Sequence, residues 1–289
     1  MLTSSIISGL GLGSMYGLIA LGFHVTYVVS STVNFSQGSA MMLGAVLGYT
    51  FAVTLGWPLP LAALAALILC AMFGAVVERA LVRPFAERGS NAWLMATVAG
   101  GIVLDNAVLF TFGKEPRGFP PVLAGKPVEI LGAGVYPLQI VIPIVGIAIA
   151  VLLQIVFSRT RLGKALLAVV QNADAARLMG IDVGRAATAS FMISTALAAL
   201  AGLLIAPLYS VHSDMGTLFG IKAFAVAILG GITSASGVML AGLAYGLIEA
   251  LVTAYLGSVY TQIVVFSIVI LALAIMPNGL LGRAAVNKV

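Results

Sequence analysis

The chain has 289 residues, of which 61% are hydrophobic and only 8% charged, with a mean hydropathy of +1.16 and a formal net charge of +5. Soluble domains carry roughly 25% charged residues, so a water-soluble globule is excluded and an integral membrane protein is implied. The lone cysteine, Cys70, excludes an internal disulfide or a cysteine-based metal cluster, and the positive charge sits on loops, where it sets membrane orientation rather than nucleic-acid binding.

The apolar runs have helical length, not the alternating ten-residue pattern of a β-barrel. The expected fold is therefore all-α, a polytopic transmembrane bundle of about 8–9 spans, with one transmembrane domain covering residues 1–289.

The first run, residues 6–29, lacks the basic flank of a cleaved signal peptide and is expected to be retained. Its G-L-G-L-G-S-M-Y-G stretch, residues 9–17, reads as small residues for close helix packing, because the G-K-[ST] of a phosphate loop is absent. His24 lies in this run. With His212 the only other histidine, it reads as a hydrogen-bonded interface residue rather than a metal ligand.

Next comes S-S-T-V-N-F-S-Q-G-S, residues 30–39, a polar break between two apolar runs. Asn34, Ser36 and Gln37 carry donors and acceptors that lipid cannot satisfy. Irregular backbone at membrane depth survives only where protein or a watery cavity covers it. The break is either a turn at the membrane face or a broken helix lining a pathway.

Spans follow at residues 38–55 and 59–77, joined by Gly56-Trp57-Pro58. The stretch 78–91, with Arg79, Arg83 and Arg88, reads as a cytoplasmic loop by the positive-inside rule. In the next span, residues 93–112, Asp105 and Asn106 stand near the middle or outer half. Asp105 is either a functional intramembrane carboxylate or a residue near the interface. The loop 113–137, rich in Gly and Pro, is then external, and a span at 138–157 leads back inside.

Residues 158–185, SRTRLGKALLAVVQNADAARLMGIDVGR, concentrate charge that cannot sit in lipid: Arg159, Arg161, Lys164, Arg177 and Arg185, with Asp174 and Asp182. Residues 164–170 form about two helical turns. Asn172 caps a second short helix with Asp174 in its first turn and Arg177 in its last. Gly180 follows as a C-terminal cap, and Asp182 opens the next span. A solvated loop would explain the charges but not two capped helices, so this segment reads as a surface offered to a partner.

The remaining spans are expected at residues 186–206, 238–255 and 259–276, with a shorter apolar segment at 218–232. The tail carries Arg283 and Lys288, as expected of a cytoplasmic C-terminus. Lys222 and Glu249 are the strongest intramembrane ionisable candidates; they either pair with each other or snorkel. Unpaired, each would cost roughly 2.5–3.5 kcal/mol at a helix centre. Y-G-L-I-A-L at residues 16–21 nearly repeats as Y-G-L-I-E-A-L at 245–251, a hint of internal duplication.

Five motifs together resemble the LivH-like permease subunits of the branched-chain amino-acid importers of the ABC superfamily. They are G-S-M-Y-G-L-I-A-L-G-F (13–23), V-N-F-S-Q-G (33–38), R-L-G-K-A with A-A-R-L-M-G-I-D (161–182), I-K-A-F-A-V-A-I-L-G-G-I (221–232) and M-P-N-G-L-L-G-R (276–283). The resemblance covers nearly the whole chain. One departure is Gln37, where the family pattern often has histidine; it keeps a hydrogen-bonding group but cannot titrate near neutrality.

The resemblance implies a type II-like importer permease with broken central helices in the bacterial inner membrane. It implies a second, LivM-like permease, two cytoplasmic ATPases that use ATP and Mg, and an extracytoplasmic substrate-binding protein as partners. The chain itself would bind no cofactor or metal and supply no catalytic residue. Residues 158–185 would be the ATPase-coupling loop, through Arg161, Gly163, Lys164, Asn172, Asp174, Ala175, Arg177, Gly180 and Asp182. Asn34, Phe35, Gln37, Lys222 and Glu249 would line the translocation pathway. The cargo could be leucine, isoleucine and valine, or other amino acids, amides or urea. The alternative is a stand-alone ion-coupled transporter or channel, which leaves the two capped helices without a task.

Overall fold

Uninterrupted apolar sequence becomes helix because, in lipid, each backbone group must be satisfied within its own segment. The structure, a computed structural model, describes residues 2–118, 128–130 and 133–282. Arg283 and Lys288, and with them the expected cytoplasmic tail, lie outside the described residues.

The helices, in chain order, begin with α1 (Leu2–Ser30), α2 (Gln37–Tyr49), α3 (Leu59–Val76), α4 (Arg83–Ala86) and α5 (Trp93–Phe112). A two-stranded antiparallel hairpin comes next, β1 (Val128–Ile130) and β2 (Ala133–Val135), with Glu129 opposite Gly134. Then come α6 (Pro137–Arg159), α7 (Arg161–Gln171), α8 (Ala173–Leu178), α9 (Val183–Ile205), α10 (Met215–Gly230), α11 (Ala235–Leu256) and α12 (Ser258–Ile275).

Among the described residues, seven helices are long and apolar enough to cross a membrane: α1, α3 continued through α4, α5, α6, α9, α11 and α12. Helix α5, with 20 residues, reaches about 30 Å, the thickness of the hydrocarbon core. Helix α10, with 16, reaches only about 24 Å. The chain is a multi-pass membrane protein, and among the described residues its regular structure is helical but for the small hairpin.

The chain divides into two compact units, each discontinuous in sequence: Met1–His24 with Pro121–Ala150 and Lys222–Val289, and Val25–Pro120 with Val151–Ile221. In the first unit, α1 and α11 cross where both present glycine. A Cβ added at Gly246 would lie 2.2 Å from the Gly13 nitrogen, and one at Gly13 would lie 2.7 Å from the Gly242 oxygen. Lipid gives apolar side chains no reason to leave it, so helix contacts rest on close packing of small residues. His24 sits in this unit and donates from Nδ1 to the Ile232 carbonyl at 2.7 Å, the interface role expected of it.

In the second unit, α9 is central, with α2 and α3 packed on it. Small residues again set the distance: a Cβ at Gly202 would lie 2.0 Å from the Met41 oxygen. In α9, 61% of the apolar window is buried, against 17% in α5. Helix α5 therefore turns most of its surface outward.

The structure corrects the expected loop at 78–91. The helix begun by α3 does not stop at Val77; it passes through a π-helical segment, Val77–Val82, and continues as α4 to Ala86. Glu78 and Arg83 neutralise each other across that segment (2.8 Å), so the charges do not force the helix to end. A second π segment, Thr50–Thr54, extends α2.

Replacing Gly246 with Leu should force α1 and α11 apart, with an overpacking cost of about 1–3 kcal/mol or more. Thermal unfolding in detergent should report a lower melting temperature. Gly118→Ala, where an added Cβ meets nothing within 4 Å, should leave it unchanged.

Candidate functional site

Three polar constellations stand out from the apolar chain. The first is the break after α1, in the second unit. Ser31 takes a left-handed φ of 55°, which ends the helix. Asn34, Ser36 and Gln37 are fully buried, so the break is packed inside protein rather than lying as a turn at the surface. Asn34 Oδ1 accepts from the Ser36 backbone N–H at 3.1 Å and from Ser36 Oγ at 2.6 Å, holding the turn. Gln37 Nε2 donates to the Ser194 carbonyl and Gln37 Oε1 accepts from Ser194 Oγ, both at 2.9 Å. Both ends of the amide are thereby engaged by α9. The Phe35 N–H donates to Thr97 Oγ1 at 3.3 Å, and the residue is half-buried. Asn34 and Gln37 thus hold the break in shape, and the partner that sequence reasoning missed is Ser194, one small polar residue among many in a span.

The second constellation lies in the first unit. Lys222, 7% exposed, and Glu249, 9% exposed, form an ion pair at 2.5 Å. Lys222 Nζ also donates to Tyr16 Oη at 3.4 Å, and Tyr16 packs edge-on against Tyr245 with ring centroids 5.3 Å apart. The two near-repeats of sequence therefore meet at this pair. Removing one partner of a buried ion pair leaves an uncompensated charge, at a cost of about 3–5 kcal/mol. Glu249 Oε2 and the Tyr245 hydroxyl have no hydrogen-bond partner among the described residues.

The third constellation is the 158–185 segment. Thr160, unnoticed in the sequence, caps α7 by accepting from the Gly163 N–H at 3.0 Å, so α7 starts at Arg161 rather than Lys164. Asn172 Oδ1 accepts from the Asp174 and Ala175 N–H groups at 3.0 Å each and caps α8. Gly180 takes φ +81° after α8, as its position implies. Asp182 Oδ1 accepts from the Arg185 N–H at 3.0 Å and caps α9; that bond holds its carboxyl below the usual carboxylate range.

Helix α7 is amphipathic. Its buried stripe of Gly163, Leu166 and Val169 joins Val29, Ala176 and Ala186, while Arg161 and Lys164 are exposed. A Cβ at Gly163 would lie 2.2 Å from the Val156 oxygen, so glycine lets α7 fold back closely on α6. Arg177 pairs with Asp174 at 3.3 Å, but both side chains are largely exposed and such a pair contributes little. At the tip, Leu178 is 89% exposed and Met179 82%. Two large apolar residues held out on a capped helix form a patch that sequence reasoning missed, because it read the segment for its charges.

Beside this segment lies a cleft of about 480 Å3, lined by residues that include Ser31, Glu78, Arg83, Asn172, Arg177 and Gly184. On its wall Arg83 has four acceptors within hydrogen-bond distance. Nε donates to Glu78 Oε1 at 2.9 Å, and the two N–H groups of Nη2 are shared among Glu78 Oε2 at 2.8 Å, the Gly184 carbonyl at 3.0 Å and Thr188 Oγ1 at 2.9 Å. Glu78 and Arg83 stand five residues apart, off the three- and four-residue spacing at which an α-helix brings side chains together. Only the π segment aligns them, which hid the pair in the sequence.

The family described as branched-chain amino acid transport system / permease component matches residues 5–274. The chain is 34% identical to the high-affinity branched-chain amino acid transport system permease protein LivH of Escherichia coli, over 98% of this chain and 96% of that one. It is 35% identical to the corresponding permease protein BraD of Pseudomonas aeruginosa, over 98% and 97%. Among solved structures, PsaBC from Streptococcus pneumoniae in complex with Fab shares the fold, with a TM-score of 0.50 at 14% identity over 94% of this chain and 90% of that one. The end-to-end match in sequence, together with the apolar helices and the buried polar break, makes this chain a member of the branched-chain amino-acid transport permease family.

Proposed function

We propose that the chain is the membrane-spanning permease subunit of an ABC importer for branched-chain or related small amino acids in a bacterial inner membrane. A second permease subunit completes the membrane core. An extracytoplasmic binding protein delivers cargo, and two cytoplasmic ATPase subunits hydrolyse ATP with Mg. This chain contributes the path and no catalytic residue. Its C-terminus and the 158–185 segment face the cytoplasm.

The observation that carries the reading is the α7–α8 pair. Each helix is capped by a side chain, and the tip holds Leu178 and Met179 out in solvent beside Arg177. Exposed apolar residues rimmed by charge mark a protein contact. Arg161, Gly163, Lys164, Asn172, Asp174, Ala175, Arg177, Gly180 and Asp182 shape and present that contact to an ATPase. Cargo passes beside the Asn34–Phe35–Gln37 break, which packed small residues and the α9 lock keep irregular. Lys222 and Glu249, which hold α10 to α11, also line the path.

The decisive experiment is uptake of radiolabelled leucine, isoleucine and valine into vesicles containing every subunit. ATP-dependent uptake is expected. Uptake that persists without the ATPases and follows an ion gradient would instead establish an ion-coupled secondary transporter. Arg177→Glu and Ala175→Pro should both lower leucine uptake per ATP while the subunit still inserts; Ala175→Pro removes an N–H bonded to Asn172. Unchanged uptake in both would remove the coupling role.

Lys222→Met should reduce the amount of folded permease recovered in detergent, because Glu249 is left buried and unpaired. Lys222→Met with Glu249→Gln should recover much of it. Equal yields of the single variant and wild type would show that the pair carries no stability.

A further inference from the structure

The α7–α8 pair meets the rest of its unit mainly through Leu166, Val169 and Ala176, which rest on Val29 and Ala186. Such apolar contacts are non-directional. They hold the pair in place but do not dictate where a displacement goes. The directional contact lies at the α8–α9 junction, where Gly184, two residues past the Asp182 cap, accepts a hydrogen bond from Arg83.

Arg83 reaches two helices at once. Its fork closes on both oxygens of Glu78, which is 3% exposed, and the same Nη2 holds Gly184 and Thr188 in the first turns of α9. Thr188 Oγ1 is also 2.8 Å from Glu78 Oε2. A guanidinium fork bound on both sides is rigid and specific in direction, which a lysine ammonium is not. The cleft lies between α8 and this hub, so a push on α8 reaches α9 through residues 181–184 and the Ala176–Ala186 contact, at the turn of α9 that Arg83 holds. Six residues beyond Thr188, about 9 Å along α9, Ser194 grips Gln37 of the polar break. One helix therefore carries the hub at one point and the lock on the break at another.

We propose that Glu78, Arg83 and Thr188 form the joint that passes movement of the α7–α8 pair to α3 and α9, and through Ser194 to the break, with Arg83 as the positioning residue. This role rests on the coupling reading above. In this role Arg83 acts through Glu78, Gly184 and Thr188 and fixes the angle at which the junction is held.

The test uses the complete transporter in proteoliposomes with its binding protein, and reads leucine taken up per ATP hydrolysed together with the amount of assembled complex. Arg83→Lys keeps the charge opposite Glu78 and loses the fork. It should assemble normally while uptake per ATP falls about tenfold, within the range by which residues between two sites alter their coupling. Thr188→Val removes the hydroxyl without stranding a buried charge and should lower the same ratio about threefold. Arg83→Met should lower both assembly and ratio; if it does not accumulate, the other two variants decide. Variants that assemble with an unchanged ratio, or that lose only assembled complex, overturn the joint. A wild-type complex with no ATP-dependent uptake overturns the importer reading and this role with it. ATP-dependent uptake by wild type alongside an unchanged Arg83→Lys ratio overturns this role alone.

Discussion

A polar group inside a bilayer has no water to turn to, and this constraint governs where each polar side chain of the chain can go. The response is to gather polar groups into a few places and to make them answer one another. Gln37 is satisfied by Ser194, Glu78 by Arg83 and Thr188, and Lys222 by Glu249. Most buried residues between these points are apolar or small, free to pack by shape. The clusters therefore also specify which helices must be neighbours: α2 with α9, the α3–α4 helix with α9, and α10 with α11.

Small residues do the complementary work. At Gly13 and Gly246, and at Gly202, the backbones approach too closely for any side chain. Contacts of this kind make no use of hydrophobicity, which lipid supplies equally on the outside. They rely on dispersion and shape, so the interior of each unit is set by where side chains are missing as much as by where they are present.

Much of this was legible in the sequence. Apolar runs of helical length marked the spans, because a spanning helix has one dominant signature; α5 runs from Trp93 to Phe112, where the sequence places it. The caps at Asn172 and Asp182 were legible too, since capping depends on a residue and its immediate neighbours. The pairing of Lys222 with Glu249 could be read as a possibility because two lone charges in oil have few other solutions. Ser194 was not legible, since a serine in a span gives no sign of what it faces. Nor was the Arg83 hub: the pair with Glu78 has no α-helical spacing, and the basic residues around it looked like an ordinary cytoplasmic loop. Leu178 and Met179 went unread because apolar residues in an apolar chain draw no attention until the fold leaves them exposed at the end of a short helix.

The π segment at Val77–Val82 has a wider meaning for how such a chain can change over generations. A π turn is in effect one extra residue absorbed into an α-helix, and each residue turns the remainder of the helix by about 100°. Loss of a single codon anywhere in that segment would restore a regular helix with every amino acid outside it intact. Where the lost codon lies between Glu78 and Arg83, the two would stand four residues apart, a spacing at which a regular helix also brings side chains together. The π turn thus lets the helix carry one residue more than a regular helix would while Glu78 and Arg83 still meet.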